Sequence, residues 1–153
     1  MTYEQPAPAN ACRESFALSR NEIARYHAEG FVGPFELCSR SQMAAIHSRL
    51  VQTVFSTSEG HRRFYARHLD SRLVYDLCSH RAIVDRVASL YGTDLMLWNS
   101  AFWIKEPNGA AIPWHQDCEY WRMEPRLNVT AWIAITDMTA ENGCPRLIPE
   151  HRV

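Results

Sequence analysis

The chain has 153 residues, of which 46% are hydrophobic and 22% charged, and its formal net charge is −1. This length and composition are typical of one soluble globular domain. The nearly neutral charge gives no electrostatic reason to expect nucleic acid or an anionic membrane as a partner. No apolar run is long enough for a transmembrane helix, and no signal peptide is evident.

The cysteines are scattered along the chain and form no CxxC pair. Their odd number, without an export signal, favours free thiols in the cytoplasm and argues against a zinc ribbon. The five are Cys12, Cys38, Cys78, Cys118 and Cys144.

The N-terminal part predicts an irregular arm followed by a helix. Residues 1–18 contain prolines and no periodic apolar pattern. Ser19 and Glu22 have the spacing of a capping box, and Gly30 is a suitable residue to end the helix. The inner face of this helix is predicted to carry Ile23, Tyr26 and His27.

Further helices are predicted before Gly92. The second begins near Ser41, and its apolar residues recur at spacings of three and four: Met43, Ile46, Leu50, Val54 and Phe55. Residues 56–70 are polar and predict a solvated loop with a basic cluster of Arg62, Arg63, Arg67 and His68. A third helical region covers residues 83–91.

After Gly92 the pattern becomes extended. Residues 95–105 are rich in large apolar side chains, of which Trp98 and Trp103 are most simply core, and a turn follows within 106–112. Residues 127–135 alternate, so one face should contact the helices while Asn128, Thr130 and Trp132 line something polar. Asn142 and Gly143 predict a turn, and residues 145–149 one more short strand.

The sequence Pro-Trp-His-Gln-Asp at residues 113–117 holds the most informative pair. On a strand, His115 and Asp117 would point to the same side and could bind one metal ion, as two ligands of the 2-His-1-carboxylate triad of non-haem Fe(II) oxygenases. Zn(II) would suit the same ligands. Random placement gives roughly 0.3 such pairs in this chain, so a surface histidine beside a solvated aspartate is the alternative.

Three segments together resemble the phytanoyl-CoA dioxygenase family of Fe(II)/2-oxoglutarate-dependent oxygenases. Residues 25–35, RYHAEGFVGPF, look like the family's N-terminal helix and turn. Residues 101–117, AFWIKEPNGAAIPWHQD, are similar to its strand, loop and ligand motif. Residues 128–149, NVTAWIAITDMTAENGCPRLIP, resemble its "WIALDD…ENGCLRVIPGSH" segment. The resemblance runs from about residue 20 to the end of the chain.

The resemblance implies an α+β fold in which N-terminal helices pack on a double-stranded β-helix, a cupin-like jelly roll. The oxygenase domain would span residues 19–153. His115 and Asp117 would bind Fe(II), and Trp132 and Ala101 would line the 2-oxoglutarate pocket. Gln116, Lys105, Asn128 and Thr130 are further candidates for cofactor binding, although Lys105 is equally well explained as a solvated lysine at a strand end.

The resemblance also sets expectations about the C-terminus. The family's second iron-binding histidine and its 2-oxoglutarate arginine follow the "IPGSH" segment, so His151 and Arg152 do not match them. The jelly roll is therefore expected to be truncated and the chain to be an N-terminal fragment. The alternative is that His151 folds back to complete the triad.

The predicted function of the full-length protein is O2-dependent hydroxylation of a small organic molecule. Related halogenases carry a small residue in place of the carboxylate, so Asp117 favours hydroxylation. Two alternatives are a catalytically inert fragment and a cupin-like metal-binding protein with other chemistry. Neither the substrate nor the oligomeric state follows from the sequence.

Overall fold

The computed structural model describes residues 15–56, 64–121, 124 and 127–149. Its helices are α1 (Arg20–Glu29), α2 (Arg40–Leu50), α3 (Arg72–Cys78) and α4 (Arg81–Tyr91). A π-helical turn, Val51–Phe55, continues α2, and 3-10 turns form at Arg67–Leu69 and Asp117–Glu119. The predicted helical N-terminal region is confirmed. Within the described ranges, no helix has both the length and the apolar character needed to cross a membrane.

The ends of α1 follow the sequence signals. The Ser19 hydroxyl accepts a hydrogen bond from the backbone N–H of Glu22, and the Glu22 carboxylate accepts one from the backbone N–H of Ser19. The Ser19 hydroxyl also donates to the Glu22 carboxylate at 2.7 Å. This bond, together with the one from the backbone N–H of Ser19, holds the pKa of Glu22 below its ordinary value. Gly30, at φ 80°, ends the helix, and its N–H donates to the carbonyl of Tyr26. Tyr26 packs edge-on against Tyr91 of α4, with ring centroids 6.4 Å apart.

One detail of the predicted helices is wrong. His27 was placed on the inner face of α1, but its side chain is exposed. The second helix begins near Ser41, as predicted: its first residue is Arg40, and its N-cap Ser39 forms a capping box with Gln42. The Ser-x-x-Gln pattern is the same signal that located α1, and it was readable in the sequence.

The hydrophobic core lies between α2, its π-helical continuation and α3. Leu50, Val54 and Val74 are essentially inaccessible to solvent. Partly buried side chains surround them, among them Phe102 and Ile135 from the C-terminal half. Phe102 meets Phe55 edge-on at 5.1 Å. The extended half of the chain is therefore attached to the helices through apolar contacts.

Residues 56–70 were predicted to form a solvated loop. This prediction is wrong for Arg67 and His68, the two residues of its basic cluster that the structure describes. Arg67 and His68 are only 8% and 7% exposed. The Arg67 guanidinium donates to the carbonyl of Val54 at 3.2 Å and to the carboxylate of Asp70 at 2.8 Å. The Ser100 hydroxyl bonds to Nδ1 of His68 at 2.8 Å. These hydrogen bonds lower the free-energy cost of burying the two basic side chains. Arg62 and Arg63 lie outside the described residues.

Arg67→Met should lower the free energy of unfolding by about 1.5–3 kcal/mol, because it removes charge-assisted hydrogen bonds from a buried position. The matched control is Arg72→Met. Arg72 pairs with Asp76 at 2.7 Å, but its side chain is 84% exposed, so about 0.5 kcal/mol or less is expected there. Urea denaturation measures both variants. Equal losses would contradict a stabilising role for the buried guanidinium.

Pairing between extended segments within the described residues is limited to one antiparallel bridge, between Tyr65 and Ala101. Backbone hydrogen bonds flank it, from Ala66 to the carbonyl of Ser100 and from Phe102 to that of Phe64. No regular strand is assigned in the described part of residues 95–149, so the double-stranded β-helix stays a prediction.

Other predictions for the C-terminal half have mixed outcomes. Trp98 and Trp103 were expected in the core, but each is 57% exposed. The turn within 106–112 is present, where the N–H of Gly109 donates to the carbonyl of Glu106. The turn at Gly143 is also present, with φ 91°. Cys38, Cys78 and Cys144 carry free thiols, as predicted.

Candidate metal centre

The side chains of His115 and Asp117 converge on each other. Nε2 of His115 lies 3.4 Å from Oδ1 of Asp117. Between them, Gln116 is extended, with φ −115° and ψ 130°, and side chains on either side of an extended residue project to the same side. A 3-10 turn begins at Asp117. The strand that was expected to run through both residues therefore does not include Asp117. The juxtaposition needs only the extended residue between the two side chains.

The backbone orients the imidazole of His115. Its Nδ1 lies 2.8 Å from the carbonyl oxygen of Pro113. A carbonyl oxygen only accepts hydrogen bonds, so Nδ1 carries the proton and donates it. In the neutral ring, Nε2 then presents its lone pair towards Asp117. The ring of Tyr120 meets the His115 ring edge-on, with the two centroids 5.4 Å apart.

A second hydrogen bond holds the carboxylate of Asp117. The Thr130 hydroxyl donates to Oδ2 at 2.6 Å. The two oxygens of Asp117 therefore have different neighbours, since Oδ2 meets a hydroxyl donor and Oδ1 faces Nε2 of His115. Partners of this kind commonly orient metal ligands in proteins.

The donor atoms fit a divalent metal ion. With His115 neutral, Nε2 and Oδ1 are two acceptors facing each other across 3.4 Å, an arrangement that a cation between them would stabilise. Two ligand atoms that each lie about 2.1 Å from one ion, at right angles about it, are about 3 Å apart. The observed separation of Nε2 and Oδ1 is 3.4 Å, so a small movement of the side chains would let both atoms bind one ion. Imidazole and carboxylate suit Fe(II) and Zn(II) alike.

The pair could supply two ligands of a larger set. Among the described residues, no group of three or more His, Cys, Asp and Glu side chains is placed to hold a metal ion. The side chains of His115 and Asp117 are 36% and 39% exposed. Both side chains are thus partly accessible to further ligands.

The other predicted cofactor residues make varied contacts. Lys105 donates through Nζ to the carbonyl of Ala110 at 3.3 Å. Its aliphatic carbons occupy the space into which a side chain at Gly143 would project, 3.4 Å away at the nearest. Ala101 forms the bridge with Tyr65. Three more residues are placed as follows: Trp132 is 46% exposed, Asn128 is half-buried and Gln116 is exposed.

One basic residue near the pair was not singled out from the sequence. The guanidinium carbon of Arg146 lies 5.4 Å from the ring centroid of Trp114, the neighbour of His115. This is within cation–π range. Arg146 follows the turn at Gly143, and its distance in sequence from Trp114 left no local signal for the contact. His151, the alternative third ligand, lies outside the described residues.

A cavity of about 310 Å³ lies apart from the pair, beside α2 and the end of α3. None of the predicted site residues lines it. Its lining is mainly apolar and consists of Leu37, Cys38, Gln42, Ala45, Ile46, Leu77 and His80.

Comparison with known proteins identifies the family. A family model described as phytanoyl-CoA dioxygenase (PhyH) matches residues 14–152. The chain belongs to the phytanoyl-CoA dioxygenase family. The family predicted from the three segments is therefore confirmed, and the His115–Asp117 pair lies within the matched region.

Relatives of this family member include one curated protein and solved structures. A probable alpha-ketoglutarate-dependent hypophosphite dioxygenase of Stutzerimonas stutzeri is 31% identical over 91 residues, which cover 58% of this chain and 31% of that protein. A structure of CytC3 superposes with a TM-score of 0.70 and 28% identity, covering 89% of this chain and 57% of CytC3. A structure titled CytC3 with Fe(II) and alpha-ketoglutarate aligns with a TM-score of 0.49 and 28% identity over 56% of this chain and 36% of that one. The chain thus spans only part of the length of the proteins it matches.

Proposed function

We propose that the protein is an Fe(II)- and 2-oxoglutarate-dependent dioxygenase that hydroxylates a small organic molecule. The observation that carries this proposal is the convergence of His115 Nε2 and Asp117 Oδ1, 3.4 Å apart, in a member of the phytanoyl-CoA dioxygenase family. The relative from Stutzerimonas stutzeri is itself named as alpha-ketoglutarate-dependent. His115 and Asp117 are proposed to bind the iron from one side.

The proposed reaction consumes one 2-oxoglutarate and one dioxygen for each substrate. One oxygen atom enters the substrate as a hydroxyl group, and the other enters succinate as 2-oxoglutarate loses CO2. The metal, when bound, supplies the oxidising chemistry. The chain would supply two ligands and their orientation, and a third protein ligand would complete the set.

The charge of the site suits an anionic co-substrate. One carboxylate beside a divalent ion leaves a net positive charge, which favours the dianion 2-oxoglutarate. Trp132 and Ala101 are proposed to line its pocket, and Gln116, Lys105 and Asn128 remain further candidates for contacts with it. The complete fold is proposed to be a double-stranded β-helix with the helices packed on it, as the similarity to CytC3 supports.

Asp117 further supports hydroxylation over halogenation. In the proposed site, the carboxylate of Asp117 would take the ligand position beside His115 that a halide would otherwise use. The proposed product is therefore an alcohol, and mass spectrometry of product formed in the presence of chloride or bromide should show no halogen.

The test measures succinate formation by the protein expressed from its complete reading frame. We expect succinate only when Fe(II), 2-oxoglutarate and O2 are all present, and omission of any one should reduce it to background. Adding hypophosphite and a panel of small organic molecules then reveals which of them stimulates turnover. Absence of succinate from the iron-loaded protein, or purification with a different firmly bound metal, would favour a metal-binding protein with other chemistry.

A further inference from the structure

We propose that Thr130 is a positioning residue for the metal ligand Asp117, in place of the direct cofactor contact that the sequence suggested. This inference rests on the proposed function, because it assigns Thr130 a role in holding one of the proposed iron ligands. Its basis is the hydrogen bond of 2.6 Å from the Thr130 hydroxyl to Oδ2 of Asp117.

The contact joins two separate segments of the chain. Thr130 and Asp117 are 13 residues apart, and both side chains are accessible to solvent. An exposed aspartate would ordinarily sample several rotamers about both of its side-chain bonds. Threonine is β-branched, so its hydroxyl has few positions from which to donate. The stiff donor therefore selects one orientation of the carboxylate.

The selected orientation is the one in which Asp117 can act with His115. With Oδ2 engaged by Thr130, the remaining oxygen, Oδ1, is the one that faces Nε2 at 3.4 Å. The backbone carbonyl of Pro113 orients His115 in the same way, at 2.8 Å from Nδ1. Each proposed ligand thus has one partner that fixes its direction. Such orientation lowers the entropy lost when a metal ion binds.

The Thr130→Val variant tests this role, because valine keeps the shape of threonine and removes only the hydroxyl. Loss of a partner of this kind should weaken metal binding by about 10–100-fold. Thr130→Ser retains the donor and should bind within a few-fold of the unsubstituted protein. Mn(II) is the probe, titrated against the complete protein and followed by electron paramagnetic resonance. Equal thermal melting of the variants establishes that all of them are folded.

The matched control is Thr136→Val, which removes an exposed hydroxyl from the same part of the chain. The Thr136 hydroxyl donates a weak hydrogen bond to the sulfur of Met138 at 4.0 Å, away from the metal pair, so Mn(II) affinity should not change. A second measurement uses Co(II), whose visible absorption reports the ligand field. Thr130→Val should alter this spectrum and Thr136→Val should leave it unchanged, whereas a purely structural role for Thr130 would alter neither.

The outcomes distinguish this inference from the proposed function. If the unsubstituted protein binds no Mn(II), the metal site itself is wrong and the role of Thr130 is overturned with it. If the unsubstituted protein binds Mn(II), Asp117→Ala does not, and Thr130→Val binds as tightly as the unsubstituted protein, only the inference about Thr130 is overturned. Weak binding by Thr130→Val with recovery in Thr130→Ser supports it.

Discussion

Asp117→Ala is expected to reduce Fe(II) affinity by more than about 100-fold, because loss of a ligand should exceed the 10–100-fold effect of losing a residue that only orients one. The variant removes the carboxylate, which is the charged metal ligand of the proposed pair and also accepts the hydrogen bond from the Thr130 hydroxyl. Succinate formation should fall at least in parallel. Anaerobic Fe(II) titration measures affinity, and a coupled assay measures succinate.

Two further variants separate charge and ligation from general damage. Glu119→Ala removes an exposed carboxylate from the same 3-10 turn, so both metal affinity and succinate formation should stay unchanged. Asp117→Asn preserves the shape of the side chain and a carbonyl oxygen that can accept from Thr130, but it removes the charge. Its affinity should lie between that of Asp117→Ala and that of the unsubstituted protein. Full succinate formation by Asp117→Ala would remove Asp117 from the proposed ligand set.

Local rules predicted the features of this chain that depend on neighbouring residues. The capping box at Ser19 and the glycine at residue 30 fixed α1, because both act within one helical turn. The direction of His115 and Asp117 likewise depends on a single extended residue between them. Spacing in the sequence was sufficient for that juxtaposition even though the regular strand assumed there is not present.

Features that depend on distant partners were not predictable in this way. Arg67 and His68 look like loop residues in the sequence, since basic side chains are rarely buried without partners. Their partners include Val54 and Ser100, which lie 13 and 32 residues away. The short helix α3 was also missed. Its seven residues are too few to establish a helical period, and packing of Val74 and Leu77 supplies its burial.

The alternating segment at residues 127–135 was partly predictable. Ile135 packs against the core cluster, as expected for the face that meets the helices, but Leu127 on the same predicted face is 59% exposed, so the expectation is wrong there. Thr130 is exposed, and its bond to Asp117 depends on how two segments fold across each other. Alternation therefore predicted the burial of some of these side chains, while the contacts that each one makes depend on the tertiary fold.

Leu50→Ala is expected to lower the free energy of unfolding by about 2–5 kcal/mol, since it removes a fully buried side chain from the centre of the core. Leu50 lies at the end of α2, and its cluster includes Val54 and Val74. Urea denaturation followed by tryptophan fluorescence measures the change. The control is Val51→Ala, next in sequence but 45% exposed, for which about 0.5 kcal/mol is expected.

The same substitution tests whether the core supports the metal centre. Phe102 and Ile135 pack against the cluster that contains Leu50, and Ile135 lies five residues after Thr130 on one segment. Leu50→Ala should loosen the contacts of Phe102 and Ile135 with the core and so weaken Mn(II) binding modestly. Val51→Ala should bind Mn(II) as tightly as the unsubstituted protein does. Leu50→Met, which nearly conserves volume, should cost less than about 1.5 kcal/mol and preserve affinity. Unchanged affinity in a destabilised but folded Leu50→Ala variant would show that contacts near Asp117, chiefly Thr130, position the carboxylate independently of the core.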